Sequence, residues 1–494
     1  MKIQKAKSIK SRILKGAGSG SKSGSGGGRS SDSVFYRNLF RLVLPIAFQN
    51  LMSSAVSVCD ALMLGMLDQN SLSAVSLAAQ IQFVLSLFYA ALTIGCTILS
   101  AQYWGRHDKR SVEKILAIVL RLSMAISFVF FLAAMFIPGL LMSIFTSDAA
   151  LVDAGSIYLR VVSWSYLLMG FSQIYLCIMK NSERTGVGTI ISATSMGLNI
   201  GLNALLIFGL AGFPQMGIVG AAVATVISRL VEVLWVLYEN HDTRRVHVHL
   251  DMILHPDPAL RRDYLHYTMP VLANELVWGC GFTMYSVIMG HLGSDAVAAN
   301  SIANMVKNLA ACLCLGIGTG AGIIVGNELG RGAIETARRY GRKLVILSVI
   351  TGALSGAVMM ALSPLLSAFT GNLSVDSRSY LNLMLWICSV NLIGKAVNST
   401  TVAGIFCAGG DTRFGFLADA ITMWVIEVPL GLLAAFVWKL PVPVVYLILN
   451  MDEFVKIPAV WIHYRKYGWL KNLTRNDIRK EQEIRKEQET RSEL

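Results

Sequence analysis

Long apolar runs, each broken by a short cluster of charged or turn-forming residues, fill the chain from about residue 39 to residue 463. A bilayer's hydrocarbon core takes about 20 residues of helix to cross. Twelve runs of that size occur, at 39–66, 73–103, 113–140, 158–180, 188–210, 214–238, 265–291, 297–326, 342–368, 380–407, 416–438 and 441–463. Gly and Pro inside such runs would weaken helices in water, but in a membrane the neighbouring helices satisfy the backbone groups they free. The pattern predicts an all-α polytopic membrane protein of twelve transmembrane helices.

Composition removes the soluble alternatives. Of 494 residues, 54% are hydrophobic and only 15% are charged, against roughly 25% charged in an ordinary soluble chain. The net charge of +13 would suggest nucleic-acid binding in a soluble protein. Here its placement between apolar runs reports orientation instead, and no nucleic-acid partner is expected. All eight cysteines fall inside apolar runs without Cys-x-x-Cys spacing, and read as small buried hydrophobes. The first run follows a basic Gly/Ser-rich tail and is too long and too far in for a cleaved signal peptide.

Alternate loops divide by charge. One set holds Arg106, Lys109 and Arg110; Lys180 and Arg184; Arg244, Arg245, Arg261 and Arg262; Arg331, Arg338, Arg339, Arg342 and Lys343; and Arg413, together with both tails. The other set has Lys439 as its one basic residue. By the positive-inside rule the first set and both termini lie in the cytoplasm of a cell (plasma or inner) membrane. The stretch Lys2–Lys15 reads as a mobile basic tail, and the motif at 478–483, which nearly recurs at 484–489, as solvated helix or disorder.

The chain also repeats itself. Pro45 and Pro270 are 225 positions apart, as are Gly65 and Gly290 and the pairs Gly105–Arg106 and Gly330–Arg331. Further on, Lys180–Glu183 loosely matches Cys407–Asp411. A unit of six spans begins both copies on the same side of the membrane, so the two lobes are expected to be related by a pseudo-two-fold axis along the membrane normal, with a cleft between them. The organisation expected is a tail at 1–34, an N-lobe at 35–240, a cytoplasmic linker at 241–264, a C-lobe at 265–466 and a charged tail at 467–494. The linker carries His241, His247, His249 and His255. With no acidic or Cys partner at ligand spacing it reads as a plain linker, and neither a metal nor a cofactor is expected.

The Pro45, Asp60 and Gly65 of the first span, Gln102–Tyr103–Trp104–Gly105 ending the second, Gly220–Thr225 in the sixth and Ala408–Arg413 after the tenth carry a resemblance. Over residues 35–466 the chain resembles the multidrug and toxic compound extrusion (MATE) family, bacterial type. The resemblance implies an antiporter that exports organic, often cationic, compounds such as drugs against protons or sodium ions, by swinging two lobes between inward- and outward-open states. Related flippases for lipid-linked saccharides share the architecture. They would need a strongly basic central cavity for pyrophosphate, whereas intramembrane acids and bases are mixed here. An enzyme is remote, since no His-Glu-x-x-His, Gly-x-Ser-x-Gly or paired-Asp motif lies in a span. The expected partners are small-molecule substrates and the bilayer, with a monomer as the working unit.

An ionisable side chain inside a span costs roughly 2.5–3.5 kcal/mol on insertion scales, so each calls for a cavity, a partner or a function. Asp60 shares a helix face with Ser57, Ser53 and Asn50, and Asn199 and Asn203 stand one turn apart on the fifth span. The resemblance implies an N-lobe cation site of an Asp on the first helix with an Asn and an Asp on the fifth; Asn203 stands where that second Asp is expected. Either Asp60 and the two Asn form a coupling site, or Asp60 is hydrated near the outer interface while the Asn hold helices together.

Glu275 is the principal coupling candidate. It lies five residues after Pro270, beside Asn274, and shares a face with Trp278, Phe282 and Tyr285. A carboxyl there would hold a proton near neutral pH and release it when a cation or water enters. The alternative is a salt bridge to Lys307 or Lys395. Relatives coupled to sodium carry an acid near position 395, so the ammonium of Lys395 favours proton coupling. Asn391, Lys395 and Asn398 form one face of the tenth span, and Lys307 joins three Asn on the eighth. Asn50, Asn274, Trp278, Phe282, Lys307, Asn391, Lys395 and Asn398 are therefore the expected substrate cavity. Asp419 and Glu427, like Arg229 and Glu232, read as structural pairs.

Overall fold

The computed structural model describes residues 27–242, 245–369 and 374–474. The basic stretch Lys2–Lys15, Arg244 and the repeated motif at 478–489 lie outside these residues. The described residues up to Phe40 form one unit and those from Arg41 onward a second.

The described residues are helical throughout, with no strand among them. Eleven of their helices are long and apolar enough to cross a membrane: Phe35–Leu67, Gln69–Gly105, Lys109–Phe136, Ala149–Asn181, Thr185–Phe208, Gly217–Asn240, Pro258–His291, Ser294–Gly330, Ile334–Pro364, Val375–Phe406 and Thr412–Val437. They coincide with the first eleven expected spans. Many large apolar side chains stay exposed on them, Phe128, Phe136, Leu234, Ile350 and Trp386 among them, as lipid-facing surfaces require.

Short polar residues start these helices. Asp68, Asp108, Asp148, Asp257 and Ser374 each accept from a backbone N–H of the first turn, satisfying donors the helix cannot. Asp257 also accepts from the ammonium of Lys114 at 2.9 Å, which holds its carboxyl below the ordinary carboxylate range.

The twelfth expected span is not one helix. It runs as Val442–Ile448, Asp452–Val455 and Ile457–Arg465, with a turn at 449–451. Asp452, Glu453 and Lys456 crowd its middle, and Pro458, lacking an N–H, opens the last piece. The tenth span repairs the break. Asn391 donates to the carbonyl of Asn450 and Asn398 to that of Glu453, both at 2.7 Å. The tenth and eleventh spans themselves widen to π-helix over Ser399–Phe406, Ile421–Glu427 and Leu433–Val437.

The buried apolar clusters divide largely, though not wholly, between the two halves. One joins Leu116, Val119, Tyr175 and Tyr264, and another Leu64, Leu85, Tyr166 and Ile207. A third, around Met384, Leu385, Val445 and Tyr446, draws only on residues from Met284 onward. Smaller clusters cross between them, as where Ala91 and Ile98 meet Val271 and Cys407.

The second and eighth spans cross where the repeat predicts equivalent residues. A Cβ at Gly105 would lie 2.1 Å from the carbonyl oxygen of Asn327, and one at Gly330 1.9 Å from that of Gln102. The contact is reciprocal, because Gln102 and Asn327 are themselves 225 positions apart. Only glycine allows backbones so close. Gln102 locks the same end, donating to the carbonyls of Ala408 at 2.7 Å and Lys471 at 3.2 Å while accepting from the N–H of Leu473 at 2.7 Å.

Candidate functional site

Between the first, second, fourth, fifth and sixth spans lies a cavity of about 700 Å³. Asn50, Ser53, Ser57 and Asp60, the polar stripe of the first span, all line it. Asn199 and Thr225 face it from the fifth and sixth spans, and Lys180 and Arg229 bring positive charge. Asp60, Asn199 and Asn203 do come together. Asn203 Nδ2 donates to Asp60 Oδ1 at 2.6 Å and makes a longer contact, 3.4 Å, with Asn199 Oδ1. Asn199 in turn reaches the hydroxyl of Thr225 at 3.4 Å. A carboxylate lining a cavity of this volume with one amide donor can exchange a proton or meet a cation, whereas a fully sealed one cannot.

Of the eight expected cavity residues, Asn50 alone lines this space. The others occupy the second half. Trp278 and Phe282 stack at 5.7 Å and pack against Phe83, itself a lining residue, at 6.5 and 6.2 Å. They form an aromatic wall between the second and seventh spans. Asn391 and Asn398 are buried and support the broken twelfth span, for the reason given above. Lys307 donates to Asn450 Oδ1 at 2.9 Å, and the amide oxygen of Asn274 is buried without a hydrogen-bond partner.

Glu275 is half-buried, and it forms neither of the expected salt bridges among the described residues. Lys395 stands 3.9 Å from Glu453 and 6.0 Å from the ring of Trp278, while Lys307 has the partner just named. Asp419 and Lys395 are its charged neighbours. The pairings of the remaining acids are likewise specific. Arg229 meets Glu232 at 2.8 Å; Asp419 meets Lys456 at 2.7 Å; Glu427 accepts from the hydroxyl of Tyr285.

Sequence reasoning missed the hub of the second half. Lys456, itself buried, also lies 3.4 Å from Glu453 and 3.5 Å from Asp452. Three charges within five residues of an apolar run were the available signal. Lys180 was read as a loop cation that sets topology, yet it lines the cavity. The linker reading also changes, because the acid absent from the linker's ligand spacing comes from the third span. Glu113 lies 3.1 Å from His247 Nδ1 and 3.4 Å from His249 Nε2.

Many apolar helices around a polar, charged cavity define a transport protein of the membrane. The MatE family profile matches residues 45–205 and 270–433, two segments that begin at the two repeated prolines. The chain therefore belongs to the MATE family of secondary transporters, which are not enzymes. Among curated relatives it is 23% identical over 446 residues to the uncharacterized transporter YisQ of Bacillus subtilis, covering 89% of this chain and 96% of that one. It is 24% identical to a probable multidrug resistance protein NorM of Thermotoga maritima, over 90% and 96% of the two chains. Among solved structures, the Vibrio cholerae MATE transporter VcmN superposes with a TM-score of 0.81 at 18% identity, over 90% of this chain and 99% of that one. A MOP superfamily transporter of Pyrococcus furiosus, described as having a binding pocket of reverse polarity, superposes with a TM-score of 0.79 at 18% identity, over 87% and 95%.

Proposed function

We propose that this transporter is an antiporter that exports organic cationic or amphiphilic compounds, drugs among them, in exchange for protons. Two six-span lobes, 35–240 and 265–466, joined by the linker 241–264, would rock about an axis along the membrane normal, with twelve crossings and both termini in the cytoplasm of the cell membrane. The separate apolar clusters, the reciprocal Gly105 and Gly330 contact and the basic loops support that arrangement. In this reading the contact would close the cytoplasmic end; relatives named as probable multidrug resistance proteins support the substrate class.

The observation that carries the proposal is Asp60, a carboxylate lining a 700 Å³ cavity and held by Asn203 at 2.6 Å. Protonating it must favour one lobe arrangement and binding substrate the other, since a ligand with no preference shifts nothing. Asp60 thereby takes the principal coupling role, with Asn199 and Asn203 positioning it, and Glu275 acts second from the other lobe. Lys307, Lys395 and Lys456 within the C-lobe argue for protons over sodium ions there. The saccharide flippase reading is weaker, because Arg229 is neutralised by Glu232 and Asp60 shares the cavity.

The test is pH-gradient-driven efflux of a cationic dye from proteoliposomes. Asp60→Asn is expected to lose at least about tenfold in rate, the scale of one coupling energy of 1–3 kcal/mol, and Glu275→Gln to lose less. Wild-type efflux by Asp60→Asn would remove Asp60 from the mechanism.

A further inference from the structure

We propose that Glu113, His247 and His249 form a binding site for a divalent transition-metal ion of the zinc class, fastening the segment between the two halves to the third span. The inference concerns binding alone and stands apart from the transport mechanism.

Local structure brings the three together. Val246–His247–Val248–His249 alternates apolar and imidazole side chains, and its end is extended, with φ −105° and ψ 119° at His249. In an extended strand alternate residues face one way. Val246 is buried in the cluster around Leu116 and Tyr175, and Val248 packs against the same cluster. Both histidines meet Glu113 of the third span, which is 6% exposed. The segment is also pinned. The hydroxyl of Tyr175 donates to the carbonyl of Val246 at 3.2 Å, and the N–H of Val248 to Asn240 Oδ1 at 2.7 Å.

The geometry suits an ion. One ligand atom from each residue lies within 4.8 Å of the other two. Glu113 presents Oε1 to His247 Nδ1 at 3.1 Å and Oε2 to His249 Nε2 at 3.4 Å, and the two rings are 4.0 Å apart. Zinc bonds of about 2.0–2.1 Å put tetrahedral ligands about 3.3 Å from each other. Two imidazoles and a carboxylate form a familiar three-ligand set, and His249, 38% exposed, leaves water access for a fourth ligand. Magnesium and calcium prefer oxygen donors throughout. Two present contacts must yield. Lys109 Nζ lies 3.3 Å from Glu113 Oε1, and His247 Nδ1 is 3.2 Å from the carbonyl of Arg245. The ion's double charge outweighs a single ammonium on a side chain already 35% exposed.

The test uses full-length protein purified in detergent with a histidine-free tag and stripped with a chelator. Zn²⁺ is titrated against a chromophoric chelator, Co²⁺ is followed by its visible d–d absorption, and Mg²⁺ serves as control. Wild type is expected to take up about one Zn²⁺ per chain and to give the strong Co²⁺ band of a low-coordinate site. His247→Ala/His249→Ala and Glu113→Gln should each bind at least about tenfold more weakly. Zn²⁺ should raise the melting temperature of wild type and not of the variants. If the double variant fails to fold, His249→Gln on the more exposed ring carries the comparison. Equal Zn²⁺ affinity in wild type and variants, no uptake by wild type, or displacement of Zn²⁺ by Mg²⁺ overturns the site.

Discussion

The two halves of the repeat place different chemistry at equivalent positions. Asp60 and Tyr285 are 225 positions apart, and Asn199 and Glu427 are 228 apart, the same offset as Glu183 and Asp411. In the first half a carboxylate on the first span meets amides of the fifth. In the second half the acid has moved to the eleventh span and meets a phenol on the seventh. The surroundings differ more. Asp60 opens on a cavity, while Glu427 is 1% exposed and sits in a half packed with Asp419, Asp452, Glu453 and Lys456. The two halves share the reciprocal glycine contact; their polar side chains differ, lining a cavity in the first and forming an ion cluster in the second. A carboxylate beside water can change charge cheaply, and one inside a paired network cannot.

That asymmetry can be broken at several points, beginning with the cluster. Lys456→Met leaves buried carboxylates without their partner, which typically costs about 3–5 kcal/mol. The variant is expected to melt far below wild type in detergent or to fail to accumulate, whereas Asp60→Asn should melt near wild type. Comparable melting of the two variants would erase the distinction between a structural half and a working one.

Next comes the seam that the halves share. Gly330→Val drives a side chain into the carbonyl of Gln102, and overpacking of this kind costs about 1–3 kcal/mol. It should bias the protein away from the state sealed at that end, roughly tenfold or more. The rate at which a membrane-impermeant thiol reagent labels Ala408→Cys from the cytoplasmic side, in a background without other cysteines, should rise accordingly. Unchanged labelling would mean that the contact does not govern closure.

The smallest effects sharpen the comparison most finely. Tyr285→Phe removes the hydrogen bond to buried Glu427 and should lower stability by about 1–3 kcal/mol while leaving the pH dependence of efflux in place. Asn203→Ala should do the reverse, moving the pH dependence of efflux while melting close to wild type. Melting curves and pH–efflux profiles of the pair decide the matter, and identical behaviour of the two variants would contradict the assignment of roles.

Much of this was legible in the chain. Apolar runs of membrane length fixed the first eleven spans. The 225-residue offset marked Gly105 and Gly330 as equivalent, though not that they meet, and helical spacing put Asn50, Ser53, Ser57 and Asp60 on one face. The meeting of Asp60 with Asn203 was one of two readings that the residue types left open, and the fold brings the pair together. What stayed hidden depended on partners distant in sequence. Averaged hydropathy let the run 441–463 pass as one helix, because the break at Asn450 is satisfied by Asn391 and the charge of Lys456 by Asp419, both on other spans. Lys180 looked like one more loop cation, yet in the last turn of the fourth span it lines the cavity. His247 and Glu113 are separated by 134 positions, and only the folded third span brings the acid to the histidine.

The central claim is that Asp60 carries the proton that substrate displaces. It is tested most directly by adding a cationic dye to weakly buffered, detergent-purified protein near neutral pH and recording proton release. Wild type and Tyr285→Phe should release protons on binding, and Asp60→Asn should release none above the dye-only blank. Release by Asp60→Asn equal to that of wild type would contradict the account.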